Sequence, residues 1–426
     1  MRTASASRTL VAAVACAVIA SACSSGGGSA AKHTTTSKAA PAPGPSTQPT
    51  PPTSAPAPIP AQYGALTTTL GAGLDAYQAT VDALPSPSTS SASPVHAAEL
   101  LVANGNRLRA LLQPATLTAA DRWLDRFAAI GIKGVTLGIK LPMLLPQFGP
   151  DGDAYASFYA AVADHARARG LTVDVELGAL FCGTVFAQCS YSFHGSYDAF
   201  VRATVDQARI VVERVRPDYL TILAEPTTEA ALTGVHDFDT PAGSARYVHD
   251  VLAGIGPRGS TKVGAGAATW VAPTYNQAIL QEPVDYLDLH IYPVNAHIAA
   301  TIAQDTALAR GAGKPIVADE VYLYKVASPT QAAPAASDRT FRLDAFSFFE
   351  PLDIRFLDIT GEWARKAGVP FVSAYWSSQF FSYLPWTPER DGASYAALSR
   401  ELNAAVGQAF ARNELTDLGR AWARPG

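Results

Sequence analysis

From about His96 onward, short apolar runs alternate with longer stretches in which apolar residues recur at helical spacing. The runs fall at 100–103, 134–140, 172–177, 219–225, 263–270, 285–292, 315–320 and 370–376. The stretches between and after them fall at 119–130, 154–169, 197–215, 242–254, 275–280, 296–312, 343–367 and 393–411. Strand followed by helix, repeated through the chain, is the pattern of βα units around a parallel sheet. Eight such units in about 315 residues predict an α/β fold, a closed (β/α)8 barrel. A doubly wound open sheet is the rival, but no G-x-G-x-x-G opens a helix after the first run and no P-loop occurs.

The first 95 residues have a different texture. Arg2 and Arg8 precede an apolar stretch at 10–20, and the small residues Ser21-Ala22-Cys23 follow, the layout of an export leader over 1–22. Residues 23–60 are Ser, Thr, Pro, Ala and Gly with few large apolar side chains, too little to offset ordering entropy, which predicts a disordered tether. Residues 61–95 hold a short amphipathic helix at 63–84 and the Pro/Ser linker 85–94; the barrel should occupy 96–412, with a tail over 413–426. Ile19-Ala20-Ser21-Ala22-Cys23 resembles a bacterial lipobox, with Ala20 where Leu is usual. That resemblance implies cleavage before Cys23, a lipid on its sulfur, and a place at the outer face of the bacterial cell membrane; ordinary secretion is the alternative.

Composition narrows the function. A formal net charge of −4 and a pI near 6.1 give no basic patch of the kind nucleic-acid binding needs. Beyond the leader and Cys23, the remaining cysteines are Cys182 and Cys189, an even pair that reads as a disulfide in an exported chain. Two cysteines with no zinc-like His spacing make a poor metal site. No metal and no cofactor are called for.

In such a barrel, reactive groups come from the C-terminal ends of the strands. The fourth run ends in Ala224-Glu225-Pro226, the sixth in His290-Ile291-Tyr292-Pro293, the seventh in Asp319-Glu320 and the eighth in Tyr375-Trp376. Two carboxylates with imidazole and aromatic groups between them can protonate a glycosidic oxygen and attack the anomeric carbon. These residues resemble clan A of the retaining glycoside hydrolases, the cellulase, mannanase and galactanase type of barrel. The resemblance implies Glu225 as general acid/base, Glu320 as nucleophile, Tyr292 in contact with that nucleophile, and Trp376 flooring the sugar site. The clan has Asn where this chain has Ala224, and Ala cannot make the contact to the sugar 2-hydroxyl that Asn makes.

Further substrate-binding candidates are His290, Glu176, Asn104, Asn106, Lys140, Trp270 and Trp386, with His194 on the loop after the cysteines. His290 and Tyr292 share parity and so one face of their strand; a satisfied core pair is the alternative. Asp319 and Glu320 are neighbours, so alternation sends one inward, expected to be Glu320, and turns Asp319 away or toward an adjacent strand. The expected partners are a polysaccharide or oligosaccharide and the membrane under a lipid anchor, with no nucleic acid, and the chain is expected to act as a monomer. A carbohydrate-binding lipoprotein without turnover is the second reading, and a metal-dependent barrel hydrolase the third.

Overall fold

Eight parallel strands close on themselves in chain order: β1 (Val95–Glu99), β2 (Gly134–Leu141), β3 (Thr172–Ala179), β4 (Tyr219–Thr221), β5 (Lys262–Gly266), β6 (Leu287–Ile291), β7 (Ile316–Val321) and β8 (Phe371–Ala374). β1 pairs with both β2 and β8, so no strand edge is left over. Helices surround the sheet, and the chain is a (β/α)8 barrel, as its periodicity predicts. The computed structural model describes residues 57–85, 93–189, 195–292, 295–326 and 338–423. The leader with Cys23, the tether up to residue 56, most of the 85–94 linker, His194 and Pro293 lie outside the described residues. No helix of the described residues is long and apolar enough to cross a membrane.

The first strand sits earlier than the apolar run at 100–103 suggests. Val95–Glu99 makes the ladder, and Leu101–Ala103 is one 3-10 turn behind it. A four-residue apolar run has no period of its own, so burial beneath a loop reads like burial in a sheet. The displacement matters chemically, because β1 then ends in a carboxylate, Glu99.

The amphipathic segment forms the helix Gly64–Asp82 and packs against the helices Ala296–Gly311 and Glu350–Ala367. Leu70, Leu74, Tyr77 and Val81 are buried, at the spacing of one helical stripe. Arg355 pairs with Asp75 at 2.6 Å, and Lys366 Nζ donates to the Val81 carbonyl at 3.1 Å, near the helix C-terminus where a cation is favoured.

Inside the barrel, side chains lie in layers. The lower end is filled by Ala97, Tyr286, Val317 and Phe371, with Val95 and Tyr219 against them. Gly264 makes room for this plug: a Cβ there would meet the Tyr286 ring at 2.2 Å. Above it come Thr136, Asp174, Thr221, Asp288, Asp319 and Ser373, all buried. The upper layer holds Glu99, Lys140, Glu176, His290 and the two strand-end glutamates.

One irregularity sets up the site. Asp288 pairs with Val317 but His290 pairs with Glu320, so β7 has one residue more than β6 over this span. The same extra residue appears against β8, between Ala318 and Val321. A bulge of this kind breaks the in–out alternation and re-aims side chains.

Candidate active site

Glu225 follows β4 and precedes the helix Pro226–Thr233, whose first position is proline. Pro226 has no N–H to lose there, and the positive end of the helix favours an ionised acid beside it. Glu320 comes from the bulged part of β7, and His290 and Tyr292 from one face of β6, as their parity predicts.

These four side chains converge. His290 Nδ1 lies 2.8 Å from Glu225 Oε1, and the Tyr292 hydroxyl reaches Glu225 Oε1 at 3.4 Å. The same hydroxyl donates a short hydrogen bond to Glu320 Oε1. Two carboxylates that touch one phenol oxygen have their nearest oxygens within about 7 Å, two hydrogen-bond lengths. The ligating atoms of Glu176, His290 and Glu320 also lie within 4.8 Å of one another.

Asp319 turns toward the adjacent strand β6, one of the two courses expected for it, but does so from inside the barrel, which plain alternation does not allow. It is buried inside the barrel, with Oδ1 3.0 Å from His290 Nε2, directly beneath the site. The bulge is the reason: both Asp319 and Glu320 face the interior, at different heights. Asp288 lies 3.8 Å from the same nitrogen. The Nε2 contact is an ion pair by distance without good hydrogen-bond alignment.

Charge follows from this arrangement. Burial alone would strip His290 of its proton, but the charge and bond of Asp319 and the bond to Glu225 raise its pKa well above the usual imidazole range. Burial works against the charge of Asp319 too, and His290 more than offsets it, keeping this carboxyl below its ordinary value. Asp288 and Asp174 are raised well above theirs by burial first and by the charge of Asp319 second.

The two glutamates part in the same way. Burial would raise Glu225, but the bond and charge of His290 hold it below the ordinary value. Glu320, which accepts only from a neutral phenol, is pushed well above by burial and by the charges of Glu176 and Glu225, against the pull of His290. The two carboxyls are thus pushed apart, Glu225 toward the ionised form and Glu320 toward the protonated one. That is the reverse of the protonation expected for an acid at Glu225 and a nucleophile at Glu320.

The wall around the pair is polar on one side. Lys140 Nζ is 3.2 Å from Glu176 Oε1; burial opposes its charge, but Glu176, Glu320 and Glu99 raise its pKa. Glu99 is pushed up to about 8 by burial and by Glu176, and accepts from Asn104 Nδ2 at 3.1 Å. Gly138 keeps space for that bond, since a Cβ there would stand 2.8 Å from Asn104 Nδ2. Asn104 also accepts from the Asn106 amide, and Asn106 accepts from the Phe181 amide, so both are tied into the scaffold.

The other side is aromatic. Trp270 stacks on Tyr292 with ring centroids 4.7 Å apart, and Tyr292 leads through Tyr322 to Tyr375 at 4.3 and 5.6 Å. Trp376 stands edge-on to Tyr375 at 4.7 Å. Trp386 packs on the hydrophobic core. Cys182 and Cys189 form a disulfide seven residues long on the loop after β3, with Cα atoms 5.0 Å apart.

Sequence reasoning passed over Glu99, Asp288 and Glu229. Glu229 is buried in the helix after Glu225, bonded by the Ala179 amide at 2.9 Å and raised to about 7 by burial. It sits one helical turn from Glu225, a spacing that could have drawn attention to it. Two triads, Glu176–His290–Glu320 and Asp288–His290–Asp319, have the donor types for a cation. Both depend on His290, whose two ring nitrogens face Glu225 and Asp319.

No family model matches the chain, and no curated protein matches it. Among solved structures it is similar to a GH5_18 from Bifidobacterium longum subsp. infantis, 14% identical over 78% of each chain with a TM-score of 0.48. A GH5_18 from Streptomyces cattleya in complex with GlcNAc is 16% identical over 76% of this chain and 81% of its own, TM-score 0.47. A GH5_18 from Bifidobacterium longum subsp. longum in complex with Manβ1-4GlcNAc is 13% identical over 78% and 77%, TM-score 0.47. Likenesses this distant leave the chemistry to be argued from the residues themselves.

Proposed function

We propose that this chain is a retaining glycoside hydrolase acting on an extracellular or cell-envelope polysaccharide. One observation carries the reading: Glu225 and Glu320 meet at the hydroxyl of Tyr292, inside the mouth of the barrel. Carboxyls about 5–5.5 Å apart suit double displacement, whereas inversion needs room for a water between them. The glutamate on β7 attacks the anomeric carbon, while the leaving oxygen takes a proton from Glu225. Water then attacks the glycosyl-enzyme ester, gives its proton to Glu225, and frees Glu320.

The protonation of the free pair fits this sequence if the proton crosses when sugar binds. Tyr292 touches both carboxylates and offers the path: its hydroxyl, which donates to Glu320 in the free protein, turns to hand its proton to Glu225 while receiving the one from Glu320. His290 then stabilises Glu225 each time it becomes an anion. The leader and lipobox-like segment support an exported, lipid-anchored protein, with the barrel held out on the tether.

The test uses aryl glycosides and a polysaccharide panel, with anomeric configuration followed by NMR. Retained products are expected. Azide should restore Glu320→Gly with inverted glycosyl azide, and Glu225→Gly with retained product; the opposite pairing would exchange the two roles. Ala224 favours a second reading, a sugar-binding protein without turnover, because it offers no polar group where the clan has Asn. Sugar affinity with no hydrolysis across the panel would select that reading.

A further inference from the structure

A cavity of about 500 Å³ opens beside the candidate active site, between the ends of β1 and β8 and the helices Pro114–Ala129 and Tyr395–Arg412. Its inner wall is Tyr375 and Trp376, which the aromatic chain through Tyr322 joins to Tyr292. A chain of sugars lying across Glu225 and Glu320 could therefore run into this cavity along a continuous aromatic surface. Indole and phenol faces suit the C–H faces of sugar rings.

The charge of the cavity is opposite to that of the barrel mouth. Arg107, Arg122 and Arg342 line it, and Asp344 is the acid among its lining residues. Asp344 is already held by Lys325, at 2.9 Å. Arg342 faces Asp391 at 3.7 Å, whereas Arg107 and Arg122 have no ion-pair partner among the described residues. Arg107 is exposed to solvent, yet enough protein surrounds it for burial to lower its pKa. Two guanidiniums without counterions, beside aromatic rings, present the planar forks that carboxylates accept bidentately.

We propose that this cavity is a subsite for an acidic sugar, a uronic acid unit of the polysaccharide, whose carboxylate pairs with Arg107 and Arg122. At the barrel mouth, by contrast, the cations Lys140 and His290 are already held by Glu176 and Glu225, which leaves the cavity arginines as the free partners for an acid. The inference rests on the glycosidase reading for its place in the reaction but makes a separate claim about binding.

The probes are oligosaccharides from glucuronoxylan, alginate and hyaluronan, each alongside its carboxyl-reduced counterpart, with sulfated galactan oligosaccharides as a second anion. Calorimetry on the intact protein should show at least one uronate oligosaccharide bound, weakened 10-fold or more by carboxyl reduction. Raising salt should weaken the acidic probe and leave the neutral one unchanged. The double variant Arg107→Gln/Arg122→Gln, checked by thermal melting, should lose the same factor for the acidic probe alone. Equal binding of acidic and reduced forms, no binding of any uronate, or an unaffected double variant would overturn the proposal. Preference for the sulfated probe would overturn the uronate assignment. Uronate binding without hydrolysis of any substrate would leave the subsite standing and remove the glycosidase.

Discussion

The two ends of the barrel interior are built on opposite terms. The lower end is a dry plug in which Tyr219, Tyr286 and Phe371 meet with ring centroids 5.6 Å apart from Tyr219 to each of the others. A bond between the Tyr286 and Thr221 hydroxyls at 3.0 Å satisfies the buried phenol. The upper end buries acids, an imidazolium and an ammonium within a few ångströms of one another. Packing apolar rings stabilises a fold, whereas burying charge costs free energy that only close partners offset. The difference teaches that the sheet is held from below so that it can tolerate strain of an electrostatic kind above.

The largest effect should come from the upper end and touch activity alone. Glu320→Ala should lower kcat by about 10⁴-fold, and Glu225→Gln by about 10²–10⁴-fold on unactivated substrates. The melting temperature of Glu320→Ala should hold or rise, because burial pushes that carboxyl up, whereas Glu225→Gln removes a partner of His290 and should lower it modestly. A large drop in stability instead would mean the glutamates hold the barrel together, and the contrast between its ends would fail.

The lower end should answer in the other coordinate. Phe371→Ala should cost about 3–5 kcal/mol in denaturant unfolding, the price of a large core cavity, with KM unchanged. A shifted KM with little loss of stability would show that the plug is coupled to the site.

Asp319→Asn probes the boundary between the two ends. Without that charge His290 gives up its proton more readily, and Glu225 loses the cation that keeps its pKa low. The pKa of Glu225 then rises, and the alkaline limb of kcat/KM should move upward by about one pH unit. An unmoved profile would reduce Asp319 to a packing residue.

The smallest effect concerns stability against pH. Glu99 titrates at about 8 in the fold against 4.5 as its ordinary value. Its contribution is therefore full below pH 4.5 and is lost as pH rises toward 8. Glu229 and Asp305, each raised to about 7, act in the same direction. The protein should melt a few degrees higher at pH 5 than at pH 8, and Glu99→Gln should flatten that difference. Identical slopes for the two proteins would remove Glu99 from the account.

The barrel was legible because its outward strand faces pack under helices and leave eight apolar runs in the sequence. Glu225, His290, Tyr292 and Glu320 were legible because strand ends in a barrel point to one place. What stayed hidden depends on register. Glu99 was missed since Leu100–Ala103 outshone the weaker pattern of Val95-His96-Ala97-Ala98-Glu99, whose inward residues are only partly apolar. That Asp319 faces inward together with Glu320 was hidden since alternation holds only while pairing is regular. Whether the helix Gly64–Asp82 docks on the barrel was unreadable, because an amphipathic stripe announces a partner without naming it.

The extra residue in β7 has a genetic corollary. Loss of one codon for either Asp319 or Glu320 would restore plain alternation between Val317 and Val321, whose pairings with Phe371 and Ala374 could persist. The shortened strand would still close the barrel, with the plug below intact. It would keep one inward carboxylate where there are two, and either the attacking group or the counterion of His290 would be gone. Loss of the Glu320 codon would thus remove the attacking group, and loss of the Asp319 codon only retune the site, while either leaves the barrel closed.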